Sequence, residues 1–304
     1  MFEYKVFVRN GVEHFSFRQE SGRTKNASFT LGQSLLDFLD VDVDKFIKPF
    51  MKMGERLDVS FFEQELQKLA RKHIYFQFVR LDLLDRQKKE GDGVLSSKEL
   101  SRFPMRVIAL QNQVKRMIDE ALEITTMKPQ DLRKNVTALA RVKRYYESPQ
   151  LGPCFSFGRI ETEFSCAIGI YGDVLIVRKL EDIPSFLLRE FIKENCYYKM
   201  CLHCGKYFVP DHGNAEYCTR PVTNGEKTCR DIGATKNYRD KMREDPVHRV
   251  YSRAYKTHFA RIKYKLMTRE EFQAWSVEAR EKRDKVLAGE MKIAEFREWV
   301  EGDE

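Results

Sequence analysis

Four of the seven cysteines lie within 29 residues, in the spacing C-x2-C-x13-C-x10-C. They are Cys201, Cys204, Cys218 and Cys229. Four thiolates suit tetrahedral zinc, and a CxxC pair folds into a knuckle that presents two sulfurs to one ion. No pair of histidines or carboxylates lies at a spacing that would add ligands to the same site. The spacing therefore predicts one structural Zn²⁺ per chain rather than a catalytic ion, which would keep one position open to water.

Other interpretations of these cysteines stay open. Cys196, His203 and His212 lie close enough in sequence to replace one of the four ligands. Four ordinary buried thiols are a further possibility, although clustering in this order favours a metal site. The remaining cysteines, Cys154 and Cys166, lie in predicted strands, and we interpret them as core residues.

The excess positive charge of the chain lies in the same segment. Residues 199–269 hold 16 Lys and Arg against 7 Asp and Glu, whereas the rest of the chain holds 38 against 39. A basic stripe next to a cysteine cluster is typical of nucleic-acid-binding proteins. We therefore expect the helices after Cys229 to contact phosphates. The candidate contacts are Arg230, Lys236, Arg239, Lys241, Arg243, Arg249, Arg253 and Lys256.

The best-defined of these helices is predicted from Val247 to Leu266. Asp245-Pro246 supplies an N-cap and a first-turn proline. Arginines and lysines recur on a different side of this helix from its apolar residues. The apolar positions are Val247, Tyr251, Ala254, His258 and Ile262. Tyrosines in the segment could stack on the bases of a single strand; they are Tyr238, Tyr251, Tyr255 and Tyr264. The alternative is an ordinary solvated amphipathic helix whose tyrosines pack inward.

The elements before the cysteines predict an α+β fold, mainly helical with small antiparallel β elements. One hairpin turns at Asn10-Gly11, and a second hairpin or a meander turns at Gly172-Asp173. A long helix is predicted over 60–90, beginning at a Ser60/Glu63 capping box. Further helices are predicted over 31–40, 42–53, 105–124, 129–146 and 184–196. We expect two domains, an N-terminal domain over 1–197 and a zinc-knuckle, treble-clef-like helical domain over 198–304.

Three stretches around the cysteines resemble a bacterial family of unknown function with a C-terminal four-cysteine region. They read Cys201-Leu-His-Cys-Gly-Lys-Tyr-Phe-Val-Pro, Ala-Glu-Tyr-Cys218 and Lys-Thr-Cys229-Arg-Asp-Ile-Gly-Ala. The resemblance extends from about Tyr171 through Glu301. The cysteine block is also similar to the CGNR-type zinc fingers of bacterial transcription regulators, although Arg-Asp-Ile-Gly follows Cys229 here. These resemblances imply zinc binding and carry no established activity.

From these features we expect a zinc-containing nucleic-acid-binding protein, with DNA as its ligand in a regulatory or mobile-element context. The alternative is a protein–protein interaction module with a purely structural zinc, whose partner binds the N-terminal domain or the tail from Trp275 to Trp299. A third possibility is a metal-dependent nuclease, suggested by Asp211-His212-Gly213-Asn214. We name no catalytic residue, because the sequence contains no phosphate-cradling loop, nucleophile elbow or HExxH motif.

Hydropathy argues against a membrane or secreted protein. The longest apolar run, over 166–177, is interrupted by Asp173 and is too short to cross a bilayer. Residues 1–11 lack the apolar stretch of a signal peptide. Seven cysteines in 304 residues are too few for a disulfide scaffold. We expect a cytoplasmic protein with no membrane partner.

Overall fold

The computed structural model describes residues 3–19, 21–43, 59–90, 97–125, 136–148, 154–167, 169–222, 227–233, 235, 239 and 245–302. The chain divides into two compact units, Met1–Cys218 and Thr219–Glu304. The architecture is α+β and mainly helical, with small antiparallel sheets, as expected. The division into domains at 197/198 stays a prediction. None of the helices in the described part of the chain is both long enough and apolar enough to cross a membrane.

An antiparallel sheet of five strands organises the first unit. Its strands are β1 Tyr4–Arg9, β2 Val12–Arg18, β3 Thr24–Thr30, β4 Glu161–Ala167 and β5 Ile170–Ile176, in the order β3-β2-β1-β5-β4. The predicted first hairpin is confirmed, since Asn10 and Gly11 have φ of 51° and 71° and such a two-residue turn needs positive φ at both positions. The two hairpins join where Val6 of β1 pairs with Leu175 of β5.

The second hairpin forms, but its predicted turn is wrong. Ala167 pairs with Ile170, so the chain reverses between these residues. Gly172 and Asp173 lie inside β5. The glycine that supplies the left-handed conformation is Gly169, with φ of 72°.

The described part of the first unit contains six α-helices. They are α1 Gln33–Leu39, α2 Val59–Lys72, α3 Ile74–Glu90, α4 Ser97–Met117, α5 Ala138–Glu147 and α6 Asp182–Lys193. A π-helical turn, Ile118–Leu122, follows α4 directly. The helices predicted over 31–40, 105–124 and 184–196 correspond to α1, to α4 with its π-helical turn, and to α6. Most of the helix predicted over 42–53, and residues 129–135 of the helix predicted over 129–146, lie outside the described residues.

The single helix predicted over 60–90 is wrong, because the helix is interrupted at His73. The His73 side chain is buried, and its Nδ1 accepts a hydrogen bond from the Tyr75 N–H at 3.2 Å. Its Nε2 donates to the Ser34 carbonyl oxygen at 3.0 Å. His73 therefore satisfies an N–H group in the first turn of α3, as a capping residue does. Burial lowers the pKa of His73 to about 4, which keeps the neutral ring that this pair of bonds requires.

The core between the sheet and the helices contains a carboxyl group. Glu13 is fully buried, and its Oε1 accepts a hydrogen bond from the Ser34 N–H at 2.7 Å. Its Oε2 has no hydrogen-bond partner among the described residues. Burial raises the pKa of Glu13 to about 8, against the lowering effect of its bonds to Ser34 and Gly32. The carboxyl group is therefore mainly protonated in the folded protein at neutral pH.

The second unit contains α7 Pro246–Lys263, α8 Arg269–Leu287 and α9 Ile293–Glu301. These helices pack around a small core whose buried members are Ala254, Trp275, Ala279, Phe296 and Val300. The predicted start of α7 is confirmed. Asp245 Oδ1 accepts hydrogen bonds from the N–H groups of Val247 and His248 at 2.8 and 3.3 Å, and Pro246 occupies the first turn.

Candidate metal centre and basic helix

The CxxC pair lies in a short hairpin formed by β6 Lys199–Met200 and β7 Tyr207–Phe208. The Cys201 N–H donates to the Lys206 carbonyl, and the Gly205 N–H donates to the Cys201 carbonyl, each at 2.9 Å. Gly205 has φ of 68°, a left-handed conformation that glycine adopts without steric cost. This tight turn fixes the backbone that carries Cys201 and Cys204.

Cys218 approaches this turn from the following loop. Its N–H donates to the Cys201 sulfur at 3.4 Å, and its own sulfur lies 3.7 Å from that of Cys204. The Leu202 N–H donates to the Glu216 carbonyl at 3.0 Å, which holds the loop against the CxxC turn. The third cysteine is therefore positioned by backbone hydrogen bonds as well as by its spacing.

Cys229 lies at the start of a helical segment described over 229–233. The Thr228 Oγ1 accepts from the Asp231 N–H at 3.3 Å, and the Asp231 carboxylate accepts from the Thr228 N–H at 2.8 Å. This reciprocal cap defines the first turn of the segment. The Cys229 N–H donates to the Arg220 carbonyl at 2.9 Å, and Pro221 pairs with Thr228 in an antiparallel bridge.

The four cysteines are compatible with a tetrahedral ion. All four sulfurs lie within 4.8 Å of one another. A tetrahedral site with Zn–S bonds of about 2.3 Å places its sulfurs about 3.8 Å apart, close to the 3.7 Å between Cys204 and Cys218. Cys204 is exposed, and the other three cysteines are buried. The expectation that these cysteines come together is confirmed.

The substitute ligands do not join this cluster. Among the described residues, one group of three or more potential ligands lies close enough together to hold an ion, and it consists of the four cysteines. The Cys196 sulfur lies 3.8 Å from the Glu194 carbonyl oxygen. His212 is exposed and pairs with Asp211 at 3.2 Å. His203 is half-buried and outside the cluster.

The surroundings of Cys201 favour the thiolate, which is the form that binds metals. Burial raises the pKa of the Cys201 thiol, but hydrogen bonds from the N–H groups of Cys204, Cys218 and His203 lower it by more. The resulting pKa is about 7. The nearby Lys206 forms an ion pair with Asp40 at 2.9 Å.

Helix α7 separates its basic side from its buried side. Ala254 and His258 are buried, whereas Arg249, Arg253 and Lys256 are exposed. At about 100° per residue, Arg249 and Lys256 lie on the side away from the buried pair, and Arg253 lies at the boundary between the two sides. Arg249 and Arg253 also line a groove with Ala254 and His258. Of the other candidate contacts, Arg230 is half-buried in the helical segment after Cys229, and Arg239 is exposed. Lys236, Lys241 and Arg243 lie outside the described residues.

The buried side of α7 is held by stacked rings. The ring of His258 stacks on Trp275 with centroids 3.9 Å apart and planes 6° apart. Its Nδ1 donates to the Ala254 carbonyl at 3.1 Å, and its Nε2 accepts from Arg261 at 3.4 Å. Trp299 stacks in turn over Trp275 at 6.3 Å. This packing fixes the orientation of the basic side.

An aromatic edge lies beside the basic side and includes a residue that sequence reasoning missed. Tyr255 and Phe259 are exposed by 38% and 60% and contact the Phe272 ring at centroid distances of 5.1 and 5.6 Å. Phe259 follows Tyr255 by one helical turn, a spacing that the sequence already shows. Tyr251 instead is half-buried beneath the Arg283 guanidinium, and Tyr264 is exposed.

Residues 179–301 match a family of unknown function, DUF6076. The matched region contains all four clustered cysteines and α7 to α9. The resemblance to a family of unknown function is therefore confirmed over this region, whereas no zinc-finger family is identified. No curated protein and no solved structure matches the chain.

Proposed function

We propose that this chain is a zinc-containing nucleic-acid-binding protein that contacts DNA phosphates through the basic side of α7. The observation that carries the proposal is that Arg249, Arg253 and Lys256 are all exposed on α7, whereas Ala254 and His258 of the same helix are buried. Phosphate contacts give salt-sensitive affinity that does not depend on sequence. A regulatory or mobile-element role follows as the context that we expect for such binding.

The zinc ion has a structural role in this proposal. Cys201 and Cys204 supply a knuckle, and Cys218 and Cys229 complete four thiolate ligands. A hairpin turn, an antiparallel bridge and a helix start follow one another in the order expected of a treble-clef-like fold. When bound, the ion cross-links these short elements and contributes to their folding free energy.

The basic side chains of α7 are available for phosphates. Arg249, Arg253 and Lys256 form no side-chain ion pair or hydrogen bond with any residue in the described ranges. Contact with phosphate therefore breaks no internal pair. Tyr255 and Phe259 lie at the side of this surface and would add base stacking if the ligand is single-stranded.

Replacing Arg249, Arg253 and Lys256 together by glutamate tests the proposal. Fluorescence anisotropy at low salt would compare the wild type and the variant on random-sequence duplex and single-stranded DNA. We expect a large loss of affinity without unfolding, because all three side chains are exposed. A second triple variant changes the net charge equally at exposed positions of the first unit, namely Arg9, Arg102 and Lys143, and should keep most of the affinity.

Two outcomes would contradict the proposal. Absence of wild-type binding at low salt would remove nucleic acid as the ligand. Equal losses in the two triple variants would show that net charge alone, rather than α7, governs binding.

A Phe259→Ala variant that weakens only single-strand binding would identify the aromatic edge as a base-stacking surface.

A protein partner is the second candidate function. Phe164 and Tyr171 on the β4–β5 hairpin are exposed by 76% and 69%, and the strand register places them on the same face. Exposed aromatic side chains on an edge hairpin favour protein contact. Trp275 is buried by contrast, and Trp299 stacks on it. A Phe164→Ser/Tyr171→Ser variant would test this hairpin by cross-linking.

The nuclease hypothesis is tested in the DNA-binding samples, by incubating them with Mg²⁺ or Zn²⁺ and looking for cleavage.

A further inference from the structure

The first unit contains a basic cavity of about 430 Å³ beside the junction of α2 and α3. Its floor is the inner face of β3, and its rim is formed by the end of α2 and the first turns of α3. The lining residues are Phe17, Gln19, Lys25, Ala27, Phe29, Gln67, Ala70, Arg71, Lys72, His73, Ile74, Gln77 and Arg80.

The cavity exists because β3 is an edge strand. Lys25 pairs with Phe17 across β2 and β3, and the alternation of the strand puts Lys25, Ala27 and Phe29 on the same face. The helices bury Phe17, but they leave Ala27 and Phe29 only half-buried. An apolar floor therefore stays open beside the helix junction.

The described walls of this cavity carry basic side chains. Lys25, Arg71, Lys72 and Arg80 line it, and no aspartate or glutamate is among the described lining residues. Lys25, Arg71 and Lys72 form no ion pair with any described residue. Positive charges in a concave site concentrate anions.

Helix stability alone does not account for this arrangement. Arg71 and Lys72 lie in the last turn of α2, where cations interact favourably with the helix dipole. Lys25 reaches the same cavity from β3, where that explanation does not apply. Charges from a strand and a helix therefore meet over a partly aromatic floor.

We propose that this cavity binds a small organic anion that carries a phosphate group on an aromatic ring. Small-molecule sites combine a volume of this size with apolar walls and a few convergent polar groups. Lys25, Arg71 and Lys72 bind the phosphate, and Phe29 contacts the ring. Gln67 supplies an amide group at the wall of the same cavity, whereas the Gln77 amide nitrogen donates to the Ala70 carbonyl.

The probe is phenyl phosphate, compared with inorganic phosphate and with phenol by NMR titration of the full chain. We expect phenyl phosphate to bind more tightly than either fragment. Charge-assisted hydrogen bonds are strong, so Arg71→Gln/Lys72→Gln should weaken binding at least about tenfold. Lys25→Gln should also weaken it, and this change leaves both helices intact. Lys68→Gln is the matched control, because Lys68 lies on the same helix but pairs with Glu65 and does not line the cavity.

Several results would overturn this proposal. No binding of phenyl phosphate at millimolar concentration would do so, as would binding that survives both cavity variants. Stronger binding of phenol than of phenyl phosphate would show an apolar site instead, and saturable binding of an acidic peptide with no response to phenyl phosphate would identify a peptide groove. The triple α7 variant should bind phenyl phosphate normally, which separates this site from the proposed DNA contact.

Discussion

Replacing Glu13 by glutamine would remove a buried titratable group. It would keep the size of the side chain and an oxygen that accepts a hydrogen bond from the Ser34 N–H. In the folded protein the Glu13 carboxyl keeps its proton up to a pH of about 8, whereas the unfolded chain releases it near 4.5. Between these values the unfolded state binds fewer protons. The free energy of unfolding of the wild type therefore falls as pH rises through this window.

The pKa shift of His73 has the opposite effect on the free energy of unfolding, which rises with pH over a lower pH range. Burial lowers the pKa of its ring from 6.5 to about 4, so below 6.5 the unfolded state takes up a proton that the folded state does not. Above pH 6.5 the His73 contribution fades, and because it is the same in the wild type and in Glu13→Gln, the difference between the two proteins reports Glu13 alone. The slope there is about 1.4 kcal/mol per pH unit. From pH 6.5 to 8 the wild type should lose roughly 2 kcal/mol that Glu13→Gln retains.

Urea unfolding at several pH values between 6.5 and 8 measures this difference. Both tryptophans, Trp275 and Trp299, lie in the second unit. The effect of Glu13→Gln should therefore appear in far-UV circular dichroism and in amide exchange of β1 and β2. Tryptophan fluorescence should not change. Glu163→Gln, at an exposed position of β4, is the control and should follow the wild type.

Equal pH dependence in the wild type and Glu13→Gln would refute a buried, protonated carboxyl. A variant that is less stable by the same amount at every pH would show that the contact with Ser34 matters and the titration does not.

Three further perturbations test other parts of the structure. Gly32→Ala should destabilise the first unit by roughly 2 kcal/mol or more, because Gly32 has φ of 90° and an added Cβ would lie 2.5 Å from the Phe191 ring; unchanged urea unfolding would contradict this. Asp245→Ala should lower the stability of the second unit by about 1 kcal/mol by tryptophan fluorescence, whereas Asp245→Asn should be nearly neutral. Cys218→Ser should abolish zinc binding and melt the 200–265 region while amide protection in β1 and β2 remains; full zinc content in this variant would contradict the ligand assignment.

The sequence could predict those features that neighbouring residues determine. Asn10-Gly11 and Asp245-Pro246 act within one turn of chain, so their conformations follow from local sterics and capping. The cysteine cluster was also predictable, because its ligand types and spacings match the geometry of one ion. Such signals do not depend on contacts with distant elements.

The features that were missed depend on distant contacts. The helix break at His73 follows from a bond to Ser34 and from burial against α1, and neither is visible in the helical period around His73. The pairing of Val6 with Leu175 joins hairpins that are far apart in sequence. The basic cavity combines Lys25 of an edge strand with Arg71 of a helix. Tertiary packing decides each of these, and periodicity reports only which residues prefer to be buried.

The salt dependence of wild-type binding to a labelled random-sequence DNA duplex tests the central claim most directly. If Arg249, Arg253 and Lys256 each neutralise a phosphate, a plot of log affinity against log salt concentration should have a slope of about −3 or steeper, since each contact contributes about −0.9. Binding that is undetectable at low salt, or affinity that does not change with salt, would contradict phosphate recognition by α7.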